Sequence, residues 1–232
     1  GDEITIQWPA IEGGIGDHVI KAIVYDNQGM NTSDEIFIRI IEASGVITGK
    51  YTDPRDGQVY DTVRIGGQTW FAQKLNFQTE NSWWYDNDSE NGSTYGRLYT
   101  LEAAKIACPD GWHLPGDDEW GVLERHIGLS AAEVGMIGWR GSSQGLKLKN
   151  TSGWDENGNG TNTTGFSAIP GGYRESDGIF GDIGMDGGWW GSTPSEFHSS
   201  MVYIRALEYA VNLVGKMEAD TTFAFSIRCI KD

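Results

Sequence analysis

The chain has 232 residues, with 17 basic and 33 acidic side chains and a formal net charge of −16. That charge argues against nucleic acid and anionic membranes as partners, because both are polyanions that bind basic patches. With no apolar run of the roughly 18 residues a membrane helix needs, a bilayer span is not expected, and no export signal is legible at Gly1-Asp2, which reads as the start of a trimmed chain.

Glycine makes up 33 residues and tryptophan 10, while proline is scarce at 6. This is the composition of a folded, loop-heavy, mostly β protein, since the aromatic surface is enough to offset chain entropy. Residues 1–44 differ in texture from the rest. Ile4, Ile6 and Trp8 alternate with polar residues, Val19, Lys21, Ile23 and Tyr25 alternate with Ile20, Ala22 and Val24, and Ile36, Ile38 and Ile40 alternate with Phe37, Arg39 and Ile41. Period two over three β-branched runs predicts three strands, with a turn at Asp26-Asn27-Gln28-Gly29. The run HVIKAIVYDNQGMNTSDEIFIRI resembles the last strands of a bacterial immunoglobulin-like domain. A full sandwich takes about 100 residues, so the segment is a fragment, a reduced domain or a β-appendage.

Residues 45–232 read as one further domain. Residues 58–65 and 68–75 alternate around Gly66-Gly67, which predicts a hairpin. Residues 101–108 have helical spacing behind Thr100 as N-cap. Residues 117–127 form a second helix, with Trp120, Leu123 and Ile127 on one face and Asp117, Asp118 and Glu119 in the first turn, where the helix dipole favours acids. Ser130 and Glu133 make a capping box that opens a short third helix. Regular structure then fades over residues 139–200, a Gly/Asn/Ser-rich stretch with interspersed tryptophans. Long irregular loops of that kind are functional or disordered, and the aromatics favour order. Strands return at 201–207, 209–214 and 223–230, with a turn at Gly215-Lys216.

Five segments occur in order: GGQTWFAQKLN (66–76), ACPDGWHLPGDDEW (107–120), TNTTGFSAIPGGYR (161–174), GGWWGST (187–193) and FSIRCIKD (225–232). Together they resemble the Fibrobacter succinogenes major paralogous domain family over about residues 47–232. That family occurs in surface and secreted proteins and carries no established activity. GWHLPGDDEW is also similar to a segment of formylglycine-generating enzymes and related C-type-lectin-like folds. The resemblance implies an α+β, C-type-lectin-like domain with two or three short helices, antiparallel strands and a long loop region. It places the chain outside the cell or on its surface, with any leader or lipid anchor removed. It also implies that Cys108, after the first helix, pairs with Cys229 near the end. Without it the two thiols are free in a reducing compartment and bridged in an oxidising one. One departure is Gly116, where both families carry Thr or Ser as helix cap.

Several constellations could carry chemistry. Asp155, Asn157 and Asn159 precede Gly160 in the pattern of the first half of a calcium loop, with oxygen donors two residues apart. The position of the closing acid is Phe166, so the loop is not an EF-hand. It is either another kind of calcium loop or a polar turn. Residues 86–92, with Asp86, Asp88 and Glu90, are a second acidic loop, and Asp177, Asp182 and Asp186 a third. Trp83, Tyr85, Trp154, Trp189 and Arg174 are candidates for ligand binding, because indoles stack on sugar faces while polar groups receive hydroxyls. Adjacent strand residues face opposite ways, so at most one tryptophan of Trp83-Trp84 and of Trp189-Trp190 should meet a ligand. Catalysis has little support. Formylglycine chemistry needs two reactive cysteines near the end of the domain, and the histidines His18, His113, His126 and His198 lack metal spacing. His198 has no acid that can be assigned to it. The expected function is a non-catalytic extracellular module that binds a glycan or surface protein, with calcium as the one cofactor to consider. The alternative is an adhesin that assembles by strand addition through residues 1–44.

Overall fold

The computed structural model describes residues 16–25, 31–40 and 46–232. The chain divides into two compact units, Gly1–Gly45 and Val46–Asp232. In the first, β1 (Gly16–Tyr25) and β2 (Asn31–Ile40) pair antiparallel, with Gly16 opposite Ile40 and Tyr25 opposite Asn31. Two of the three expected strands are therefore present. The expected strand at Ile4–Trp8 and the turn at 26–29 lie outside the described residues.

The second unit mixes short helices with two sheets. It opens with β3 (Ile47–Thr52), β4 (Val59–Ile65), β5 (Gln68–Phe71) and β6 (Ser82–Trp83). Next come α1 (Ser89–Tyr95), β7 (Leu98–Thr100), α2 (Leu101–Ala107), β8 (Trp112–His113), α3 (Asp117–His126) and α4 (Ala131–Gly135). The middle holds β9 (Gly138–Arg140), α5 (Gln144–Leu148), β10 (Gly171–Arg174), β11 (Phe180–Ile183) and β12 (Asp186–Pro194). The chain finishes with β13 (Met201–Glu208), β14 (Val214–Asp220), β15 (Ala224–Phe225) and β16 (Ile230–Lys231).

One sheet has the order β3-β4-β5-β16-β8, so the end of the chain is clamped between two early strands. Ile230 lies opposite both Trp70 and His113. The other sheet runs β6-β7-β15-β10-β12-β13-β14-β9, with β11 added to β10. Within it β10 and β12 meet in parallel at Gly172 and Gly187. The disulfide Cys108–Cys229 ties the end of α2 to the segment just before β16.

Local signals in the sequence account for most helix starts. The Thr100 hydroxyl accepts the Ala103 amide, and Ser130 and Glu133 form the reciprocal capping box. α3 solves its missing cap in space. Gly116 has no side chain to offer, and the Thr193 hydroxyl of β12 accepts the Asp117 amide at 2.9 Å instead.

Three expectations fail here. The stretch 139–200 is more regular than its weak periodicity implied, because it contains α5, β10, β11 and β12 besides the end of β9. β12 escaped notice because its middle is buried on both faces and rich in glycine, which erases period-two alternation. The turn expected at Gly215-Lys216 lies inside β14, where Gly215 pairs with Ala206 and Trp139. A Cβ there would come within 3.0 Å of the Trp139 ring, so the glycine allows close packing rather than a turn. Residues 209–213, expected as part of a strand over 209–214, make the connection between β13 and β14 instead.

Two aromatic cores flank β12. Trp190 packs edge-on against Phe225 at 5.0 Å in the first, with Tyr60, Phe71, Tyr99 and Trp112. Trp189 packs edge-on against Phe166 in the second, with Trp70, Trp120, Leu123 and Leu207. The two tryptophans do face opposite ways, but protein covers both faces of the sheet.

Candidate functional site

The five expected ligand-binding residues separate into two groups. Trp154 and Trp189 are 4% and 1% exposed. The Trp154 indole donates to the Ala168 carbonyl. Both are core residues with no face left for a ligand, which corrects the expectation for them. Trp83, Tyr85 and Arg174 come together. The Arg174 guanidinium lies 4.1 Å above the Trp83 ring, and Tyr85 packs on Phe180. Tyr85 is buried in this cluster, while Trp83 and Arg174 are half-buried.

Asp155 and Asn157 sit in a tight 3-10 turn, with Glu156 and Asn157 in the left-handed region, and Asn159 follows it. The Asn159 carboxamide oxygen accepts the Trp154 amide at 3.0 Å, and the Gly158 amide closes back on the Asp155 carbonyl. Among the described residues no group of three or more His, Cys, Asp or Glu could hold a metal ion. The second acidic loop is partly helical. Asp88 caps α1 by accepting the Glu90 amide. In the third, burial first, then the Asp182 and Glu208 carboxylates, push Asp186 up to about 6.

His198 does have an acid. Its Nδ1 lies 3.1 Å from Glu218, and the same carboxylate accepts the Ser195 hydroxyl. That hydroxyl receives the amides of Phe197 and His198, so the trio closes a loop and the serine is not aimed at the imidazole. His113 is held between Asp232 and Glu119, at 2.6 and 2.7 Å.

Residues that sequence reasoning passed over form a groove of about 830 Å³. One wall is Thr48–Lys50 of β3 and Tyr60–Thr62 of β4. The others are residues 72–76 after β5, the end of α1 with Gly96, and the loop carrying Asn150, Asn162 and Ser167. Lys50 and Asp61 are cross-strand partners joined by an exposed 2.6 Å ion pair. The loop wall is built under strain. Asn162 and Ser167 both have positive φ, at 48° and 53°. Paired bonds hold them there: the Ser167 amide donates to the Asn162 carboxamide oxygen, and the Asn162 amide nitrogen donates to the Ser167 hydroxyl. Left-handed non-glycine residues are held only where the surroundings over-determine them, and they cluster at functional sites.

Lys74 and Arg228 also contribute to the lining, at 4% and 0% exposure. Arg228 donates to the carbonyls of Phe71, Phe166 and Ser167. Burial pushes it down to about 9. Burial, followed by the nearby Arg228 charge, holds the Lys74 amine well below the usual lysine range. Its Nζ has no hydrogen-bond partner among the described residues.

The family model of the Fibrobacter succinogenes major domain matches residues 63–231. The chain belongs to this family. No curated protein and no solved structure matches it. The family's matched span contains Lys74, Arg228 and the strained loop, whereas the β3 wall of the groove precedes it. No sequence signal marked the groove, since its walls come from five separate segments and Lys74 looks like an ordinary residue after a hairpin.

Proposed function

We propose that this protein is a non-catalytic extracellular binding module that takes a glycan, free or on a surface protein, in the groove between β3–β4 and the 150–169 loop. The carrying observation is the lining itself. Gln58, Gln73, Asn150 and Asn162 supply amides, and Thr48, Thr62, Ser93, Thr94 and Ser167 supply hydroxyls. Carboxamides and hydroxyls both donate and accept, which suits the mixed demand of sugar hydroxyls. The strain held at Asn162 and Ser167 supports a preorganised wall. The Cys108–Cys229 disulfide supports an oxidising, extracellular setting. The end-clamped sheet, the disulfide from a helix to the last segment and the long middle loop support a C-type-lectin-like fold.

The test is an array of plant, host and bacterial polysaccharides, run with calcium and again with EDTA. Binding is expected, and Asn162→Ala should weaken it by tenfold or more. Binding lost in EDTA would assign calcium to the site and direct mutation to Asp155, Asn157 and Asn159. A blank array in both buffers refutes the glycan reading and turns attention to protein adhesion through residues 1–44.

A further inference from the structure

The groove on an acidic protein has a cationic floor. Lys50, Lys74 and Arg228 line it against Asp61 alone. The Lys50–Asp61 pair neutralises itself, which leaves Lys74 and Arg228 as two basic groups without a carboxylate partner among the described residues, on a chain of net charge −16. Neither forms a salt bridge with a described residue, and the three hydrogen bonds of Arg228 all go to backbone carbonyls. An uncompensated buried charge is among the most destabilising features a fold can carry.

The unmet hydrogen bonds point the same way. Lys74 Nζ and Arg228 Nε are both buried without a partner among the described residues. Both residues line the groove, and the Arg228 charge acts on the Lys74 amine. Both groups can only donate. What this pocket lacks is an acceptor with negative charge. The local backbone also makes room for the amine: a Cβ at Gly171 would lie 2.2 Å from Lys74 Nζ.

We propose that Lys74 and Arg228 form an oxyanion subsite at the floor of the groove, so that the glycan taken there is acidic, a carboxylated or sulfated saccharide. This rests on the glycan reading above. Charge-assisted bonds from a lysine and an arginine to a carboxylate or sulfate satisfy both the charge and the orphaned donors.

Calorimetry with four oligosaccharides tests it: an oligogalacturonate, the same oligomer fully methyl-esterified, a sulfated glycosaminoglycan fragment and a neutral xylan fragment. At least one acidic oligomer should bind tenfold or more tighter than the neutral pair, and the two acidic arms distinguish carboxylate from sulfate. Lys74→Met should abolish that preference, bringing the acidic oligomer to within about threefold of the neutral pair. Gly171→Ala provides a second variant whose new methyl displaces the flexible amine, and it should act the same way. Equal or tighter binding of the esterified and neutral oligomers overturns the acidic subsite and leaves the glycan module standing. Retention of the preference in both variants also overturns it. Failure of all four to bind, together with a blank array, overturns both readings.

Discussion

Replacing Glu124 by glutamine should destabilise this protein more than almost any other isosteric change. Glu124 is fully buried on α3. Its carboxylate accepts two bonds from Arg140, at 2.6 and 3.0 Å, and one from Arg205 Nε at 2.7 Å. Arg205 also reaches Asp117 at 2.7 Å, and Lys216 binds the other oxygen of Asp117. The network therefore holds three cations against two acids, stitching α3 to β9, β13 and β14. A hydrogen bond to a charged group contributes about 1.5–3 kcal/mol. Three of them would give roughly 4.5–9 kcal/mol, but glutamine keeps one acceptor oxygen and the same shape. Breaking a buried pair while leaving its partner charged costs about 3–5 kcal/mol, which is the expected loss. That is a large fraction of a typical total of about 5–15 kcal/mol. Urea unfolding followed by near-ultraviolet circular dichroism reads the Trp120 side of this network directly. With a slope of about 1–3 kcal/mol per molar, the midpoint should fall by at least about 1 M. The exposed pair provides the contrast, and Lys50→Ala should change stability by no more than about 1 kcal/mol. A Glu124→Gln midpoint within the range of Lys50→Ala would refute the claim that this network is effectively desolvated.

Reduction of the disulfide should lower the melting temperature by about 10–20 °C. Its 121-residue separation corresponds to about 4–5 kcal/mol of unfolded-chain entropy, and melts with and without reductant measure it. Asp186→Asn should stabilise the protein by roughly 1–2 kcal/mol at pH 7–8, allowing for partial solvent screening. Because burial and its acidic neighbours raise Asp186 to about 6, the native state binds the extra proton. Wild-type stability from this group therefore falls as pH rises from about 4 through 6, and a pH series of urea midpoints should show that slope flattened in the variant. His113 contributes in the same sense. Burial opposes its charge, but Asp232 and Glu119 raise it above its ordinary value. Its contribution is complete below about 6.5 and is lost as pH rises through its native value, which an imidazole titration by NMR locates. Trp154→Ala should cost about 3–5 kcal/mol, and Trp83→Ala less than about 2, so a glycan assay remains readable in the Trp83 variant alone.

Much of the scaffold was legible because its causes are local. Thr100, Ser130 and Glu133 mark helix starts through bonds that span three residues, and Gly66-Gly67 marks a hairpin with no reference to the rest of the chain. The family motifs, in order, carried the pairing of Cys108 with Cys229. The buried strand β12 was hidden, because alternation appears only when one face is wet and protein covers both faces here. Gly116 read as a weakened cap, and the hydroxyl that replaces it comes from Thr193, 76 residues away in sequence.

The candidate site was the least legible part. Trp154 and Trp189 have the residue type of a sugar platform, yet type does not reveal whether neighbours cover the ring. Lys74 has the residue type of a solvated surface, yet its amine is buried near Arg228 and Trp189 with no hydrogen-bond partner among the described residues. The chain by itself determined the helix caps, the first hairpin and the family. Only tertiary structure decided which aromatics are core and which charges are orphaned, because exposure and counter-charge come from segments far apart in sequence that meet only in the fold.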